Sequence, residues 1–95
     1  MHHVYIIFSN SAQKFYVGET QNITERLEKH NSRSYSNAFT SQANDWTIKA
    51  TIECENRTQA LLVENHIKSM KSKVYLENLI KYPEMREKLI NRFKA

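Results

Sequence analysis

Cysteine, glycine and proline each occur once in the 95 residues, and no apolar run is longer than the five residues from Val4 to Phe8. Each scarcity excludes something. The lone Cys54 can form no internal disulfide and can build no Cys-rich zinc site. A five-residue apolar run falls far short of the roughly 20 residues that a membrane-spanning helix needs. The start of the chain lacks the basic, then apolar, then small-residue pattern of a secretory signal, so a cytoplasmic protein is the expectation. His2 and His3 alone are too few for a metal site. The length suits one small domain with no room for a second core. A composition of 40% hydrophobic and 25% charged residues is that of an ordinary soluble globular chain.

The net charge of +4 is unevenly spread. Residues 68–95 hold eight of the 14 Lys and Arg (Lys68, Lys71, Lys73, Lys81, Arg86, Lys88, Arg92 and Lys94) against three glutamates, a balance of +5. The other 67 residues hold six basic and seven acidic side chains, a balance of −1. A basic carboxy-terminal third on a near-neutral body suits a polyanion such as nucleic acid. A solvated helical face carries the same charges with no partner at all.

Val4 to Asn10 is β-rich and ends in the turn-forming run Ser9, Asn10, Ser11. Lys14 to Glu19 reads as a second strand, and so short a link makes the pair an antiparallel hairpin. Gly18 near its end marks a place for an unusual torsion, for close approach by another group, or for an ordinary turn. Asn22 can cap a helix, with Glu25 three positions on as in a capping box, and Ile23 and Leu27 facing the core. That helix fades at His30 and Asn31. The stretch from Ser32 to Asp45 is polar, with only Tyr35 and Phe39 as bulky apolar residues, and is long enough to imply that it covers or contacts something. Trp46, Ile48, Ala50, Ile52 and Cys54 then alternate with polar neighbours as in a half-buried strand.

A second helix is expected from Arg57 or Thr58 to Met70, with Ala60, Val63, Ile67 and Met70 as its apolar stripe. A third carries Val74, Leu76, Leu79 and Ile80. Pro83 breaks it and, with Glu84, opens a last short helix bearing Leu89, Ile90 and Phe93. The expected order is β-β-α-β-α-α-α. This is an α+β fold with a small three-stranded, mainly antiparallel sheet flanked by helices. It forms one domain, with a core at about residues 3–81 and a basic helical extension at 82–95.

Three sets of residues do not behave as pure core. Glu64 follows Ala60 by four and precedes Ile67 by three, so it points along the apolar side of its helix. An ionised carboxylate there needs a cation, either a basic side chain or a hard divalent metal, unless it lies only at the border of the stripe. Arg26 and His30 lie one turn apart on one helix edge, where both can reach a single phosphate or can simply be solvated. Tyr5 and Tyr16 lie on the two hairpin strands, where packing alone accounts for either.

Taken in order, Val4-Tyr5-Ile6, Tyr16-Val17-Gly18, Thr20, Asn22, Arg26-Leu27 and His30-Asn31 strongly resemble the GIY-YIG nuclease domain. The continuation Ala60-Leu61 to Glu64, Ile67-Lys68 and Leu79-Ile80 resembles its small stand-alone bacterial branch, and the likeness covers roughly residues 3–81. The resemblance implies a phosphodiesterase in which Glu64 is the sole protein ligand of a Mg²⁺ or Mn²⁺ ion. Tyr16 would help deprotonate the attacking water, with His30 and Tyr5 relaying or orienting the proton. Arg26 would bind the scissile phosphate, and Gly18 would let the backbone come close to the site. Such chemistry is physically reasonable, because a metal and a guanidinium neutralise charge growing on phosphoryl oxygens. A phenol, with an ordinary pKa of about 10, needs a nearby cation or a proton acceptor to act as a base.

Val4 stands where the family usually has glycine. Glu19 stands where some repair-type relatives carry Lys, Leu76 where repair-type relatives carry an Asn that the small stand-alone branch often lacks too, and Ala43-Asn44-Asp45-Trp46 where many have a more basic run. The reading is a metal-dependent endonuclease acting on DNA, single-stranded or structured, with RNA also compatible. Lys68, Lys71 and Lys73 are its candidate backbone contacts. The alternatives are a catalytically inactive nucleic-acid-binding module of the same fold, and a scaffold with a partner on its basic face.

Overall fold

The computed structural model describes residues 1–32 and 43–94. Strand β1 (His2–Ser9) is central in a three-stranded antiparallel sheet of order β2-β1-β3, flanked by β2 (Lys14–Thr20) and β3 (Trp46–Cys54). Helix α1 (Ile23–Asn31) connects towards β3, and α2 (Arg57–Met70), α3 (Lys73–Lys81) and α4 (Pro83–Arg92) follow it. The architecture is the α+β fold expected, in the expected order. Most of the polar stretch 32–45, including Tyr35 and Phe39, lies outside the described residues.

The sheet is covered on both faces, which explains why β1 is an unbroken apolar run. Val4 and Ile6 are fully buried with Val17, Ile52, Ala60, Val63, Ile67, Leu79 and Leu89 under α2, α3 and α4. Tyr5 and Ile7 face the other way, packed with Ala43, Trp46 and Leu27 of α1. A strand buried on both sides has no polar face to show.

The alternation expected along β3 is broken. Ile6 pairs with Ala50 but Ile7 pairs with Ile48, so Lys49 is an extra residue and the strand bulges there. One inserted residue moves every later side chain to the opposite face. Ala50, Ile52 and Cys54 therefore enter the α2 side, whereas Trp46 is buried on the α1 side and Ile48 is left 38% exposed.

The helix starts follow the side-chain caps. Asn22 accepts the Glu25 N–H at 3.0 Å, Asn56 the Gln59 N–H at 2.9 Å and Ser72 the Tyr75 N–H at 3.1 Å. The reciprocal half of the capping box at Asn22 is supplied by another residue, since its N–H donates to Thr20 Oγ1 at 3.1 Å. Met70 and Val74, expected in apolar stripes, are 44% and 64% exposed. Met70 is the last residue of α2, beyond the sheet-facing stripe. Val74 precedes the buried Leu79 by five residues, about 140° round α3, so it faces solvent. Helix α4 is welded to the body. Leu89 enters the main core, Gln59 Nε2 donates to Ile90 O at 3.1 Å, and Arg86 Nη1 donates to the Leu79 and Ile80 carbonyls at the end of α3.

Candidate active site

Antiparallel pairing sets Tyr5 opposite Gly18 and Ile7 opposite Tyr16. The hydroxyl end of the Tyr5 ring lies over Gly18. A Cβ on that glycine would press on the Tyr5 hydroxyl and sit 2.6 Å from its Cζ. The φ at Gly18 is not positive, so the reason for glycine is the close approach of a ring and not an unusual torsion. Seated there, the Tyr5 hydroxyl is hydrogen-bonded to His30 Nε2 at 2.9 Å, in an environment where Tyr5 and His30 are each 3% exposed. The Tyr16 ring meets His30 edge-on at 5.2 Å between centroids and lies 6.4 Å from Tyr5. Two phenols and one imidazole thus form one cluster at the junction of β1, β2 and α1.

Burial, and then the positive charge of Arg26, push His30 down from 6.5 to about 4. The imidazole is therefore neutral at pH 7 and a weaker base than a free histidine. Its helix is held by Asn31, whose side chain makes a two-point clamp on β3. Trp46 N–H donates to Asn31 Oδ1 at 2.6 Å, and Asn31 Nδ2 donates to Trp46 O at 3.1 Å.

Arg26 is half-buried and lines a polar cleft of about 490 Å³ with Asn22, Glu25, His2, Glu19 and Arg57. Glu19 lies 3.3 Å from His2 Nε2 and 3.7 Å from Arg57 Nε. Glu19 thus brings a second guanidinium, from the start of α2, into the cleft of Arg26.

Glu64 sits on α2, whose core side chains pack on the sheet face opposite to Tyr5. Its side chain is 12% exposed and pairs with Lys68 Nζ at 2.6 Å. The same ammonium lies 5.6 Å from the Tyr16 ring centroid. β2 is an edge strand, so Lys68 bridges from the Glu64 carboxylate to the phenol around that edge. A second cleft, of about 520 Å³, opens beside it. It has Phe15, Val17, Ile67 and Leu76 in its wall, and Lys68, Lys71, Lys73 and Lys14 along it with Tyr16. The expected lysines and the second tyrosine are thus neighbours.

No group of three or more His, Cys, Asp or Glu side chains converges among the described residues. A single glutamate is nevertheless compatible with Mg²⁺ or Mn²⁺. Such an ion keeps most of its waters and takes one or two carboxylates plus substrate phosphate oxygens. The ammonium at 2.6 Å shows that the carboxylate already attracts a cation.

A family profile, the GIY-YIG catalytic domain, matches residues 1–78. This chain belongs to the GIY-YIG family. Membership puts it in a nuclease superfamily whose members act on DNA and generally depend on a divalent metal. The matched segment spans β1 to α3 and includes Tyr5, Tyr16, Gly18, Arg26, His30, Glu64 and the lysines of the second cleft. No curated protein and no solved structure matches the chain. No helix among the described residues is long and apolar enough to cross a membrane.

Four residues of this GIY-YIG chain carry weight that sequence reasoning missed. Lys14 and Arg57 reach the two clefts only through the register of the hairpin and the start of α2. Asn31 stands in the motif but shows its clamp only once β3 is beside it. Asp45, which looked like lost basic charge, braces the hairpin turn. It accepts from Ser9 Oγ, from Ser11 Oγ at 2.9 Å and from Ser11 N–H at 2.8 Å. Those bonds, the Ser9 hydroxyl first, hold its carboxyl below the usual range. A serine-rich turn is the one signal that could have pointed to this anchor.

Proposed function

We propose that this chain is a divalent-metal-dependent endonuclease that hydrolyses phosphodiester bonds in DNA, with Tyr5, Tyr16, Arg26, His30 and Glu64 as its catalytic set. The observation that carries the reading is the buried Tyr5–His30 bond at 2.9 Å over Gly18, with Tyr16 packed on the same imidazole.

Glu64 would hold Mg²⁺ or Mn²⁺. When bound, the ion supplies charge neutralisation on the phosphoryl oxygens and a more acidic water. Arg26 binds the scissile phosphate and offsets the negative charge that grows as water attacks phosphorus and the P–O bond to the leaving oxygen breaks. Tyr16 orients the water and takes its proton. His30 and Tyr5 relay or orient that proton, the imidazole staying neutral at pH 7 and bonded to the Tyr5 hydroxyl through Nε2. Lys68, Lys71 and Lys73, with Lys14, bind the flanking backbone along the second cleft.

Cleavage of end-labelled single-stranded and duplex DNA in Mg²⁺ or Mn²⁺, comparing the wild type with Glu64→Ala, tests the reading. Cutting that requires the ion and disappears in Glu64→Ala is the expected result. Cutting that persists in EDTA or in the variant overturns the mechanism. Salt-sensitive DNA binding with no cutting by either protein supports an inactive binding module instead.

A further inference from the structure

We infer that Lys68 is a positioning residue that occupies Glu64 until DNA arrives, so that divalent-cation binding and phosphodiester binding are coupled through one ammonium. The inference rests on the nuclease reading above and adds to it a residue with two alternative partners.

Lys68 Nζ is 2.6 Å from Glu64 Oε2 and 5.6 Å from the Tyr16 ring centroid. The two partners are unequally anchored. The Glu64 side chain is 12% exposed, whereas the Lys68 side chain is 48% exposed on a flexible four-carbon stem. An ammonium and a divalent ion on one carboxylate repel each other at close range, so each excludes the other. Once it is released, the ammonium swings into the cleft shared with Lys71 and Lys73, where a backbone phosphate is its natural partner. A phosphate that captures Lys68 therefore frees Glu64 for the ion. An ion that captures Glu64 frees Lys68 for the phosphate. Linkage requires the two couplings to be equal.

An ordinary helix pair four residues apart stabilises α2 but has no effect on metal affinity, and this separates the two roles. The first measurement is a Mn²⁺ titration of the full chain, followed by the electron paramagnetic resonance of the free ion, on the wild type, Lys68→Met and Glu64→Gln. Lys68→Met is expected to bind Mn²⁺ about fivefold more tightly, the worth of a partly exposed ion pair. Glu64→Gln is expected to lose the site. The second measurement is the fluorescence anisotropy of a labelled phosphorothioate oligothymidylate without metal. Glu64→Gln is expected to bind it several-fold more tightly, and the double variant Glu64→Gln/Lys68→Met to lose that gain.

Unchanged or weakened Mn²⁺ affinity in Lys68→Met overturns the coupling while leaving the metal-dependent reading intact. A Glu64→Gln gain that survives in the double variant also overturns it. If neither wild type nor Lys68→Met binds Mn²⁺, the metal-dependent reading falls and the coupling falls with it.

Discussion

A single methyl group at position 18 would meet the ring of Tyr5, which is 3% exposed and has nowhere to go. Gly18→Ala is therefore expected to push the phenol off His30, cutting the rate of DNA cleavage roughly a hundredfold, the usual worth of a misplaced proton-transfer group. The stability cost is about 1–2 kcal/mol from the broken buried bond, read from a thermal melt. An alanine variant of full activity would mean that the phenol has no fixed station. His30 makes a second prediction. Its folded pKa is about 4 against 6.5 when unfolded, so between those values the unfolded chain binds a proton that the native chain refuses. Stability is then full above pH 6.5 and falls as the pH drops towards 4, by roughly 3 kcal/mol in all. Urea unfolding at pH 7, 5.5 and 4.5 measures this, and His30→Gln is expected to flatten the slope. At this scale the candidate site was readable as a set of types and spacings. Tyr16 and Gly18 stand two apart, and Arg26 and His30 share one turn. The seating of Tyr5 on Gly18 was not readable, because it depends on the hairpin register, which in turn depends on a turn through Gln13 with φ 54°.

The start of α1 was legible because Asn22 acts locally, on an N–H three residues ahead; Asn56 and Ser72 cap α2 and α3 in the same way, although the sequence reading named neither. The bulge at Lys49 was not, since Trp46 to Cys54 alternates evenly in composition and one extra residue leaves no mark on that pattern. Only the partner strand reveals that Trp46 and Ile52 point to opposite faces, and with them which side α1 must cover. The junction of α2 and α3 poses the reverse case, in which local preference is overridden. Lys71 closes α2 in the left-handed conformation, with φ 47° and ψ 41°, where glycine is favoured and a side chain is strained. It also lines the cleft beside Tyr16. A strained residue at a cleft-lining position fits a trade of stability for charge. Lys71→Gly is expected to raise stability by about 1 kcal/mol in chemical denaturation while weakening DNA binding. A variant that gains stability and loses no affinity would show that the lysine has no such role.

At the scale of the whole molecule the question is where the basic charge of residues 68–95 points. Arg86 is occupied by the carbonyls that end α3, and Arg92 lies over Phe93. Lys88 borders a separate cleft among α2, α3 and α4. Lys71 and Lys73 instead join Lys14 and Lys68 beside the β2 edge, next to Tyr16. On the proposed nuclease reading, the charge that would serve a polyanion is this local group, set by the meeting of β2 with the end of α2, and the rest of the basic third would have no part in it. Binding constants for an oligodeoxynucleotide, measured as a function of salt, separate the two. Each lost phosphate contact lowers the slope of log K against log salt by about 1, so Lys71→Met/Lys73→Met is expected to lower it by about 2. Lys88→Met/Lys94→Met removes the same formal charge from exposed positions outside that cleft and is expected to leave the slope unchanged, because released counterions report contacts and not net charge. Equal losses in the two pairs would mean that DNA sees only a diffuse positive field, and the β2 edge would lose its claim to be the path of the strand.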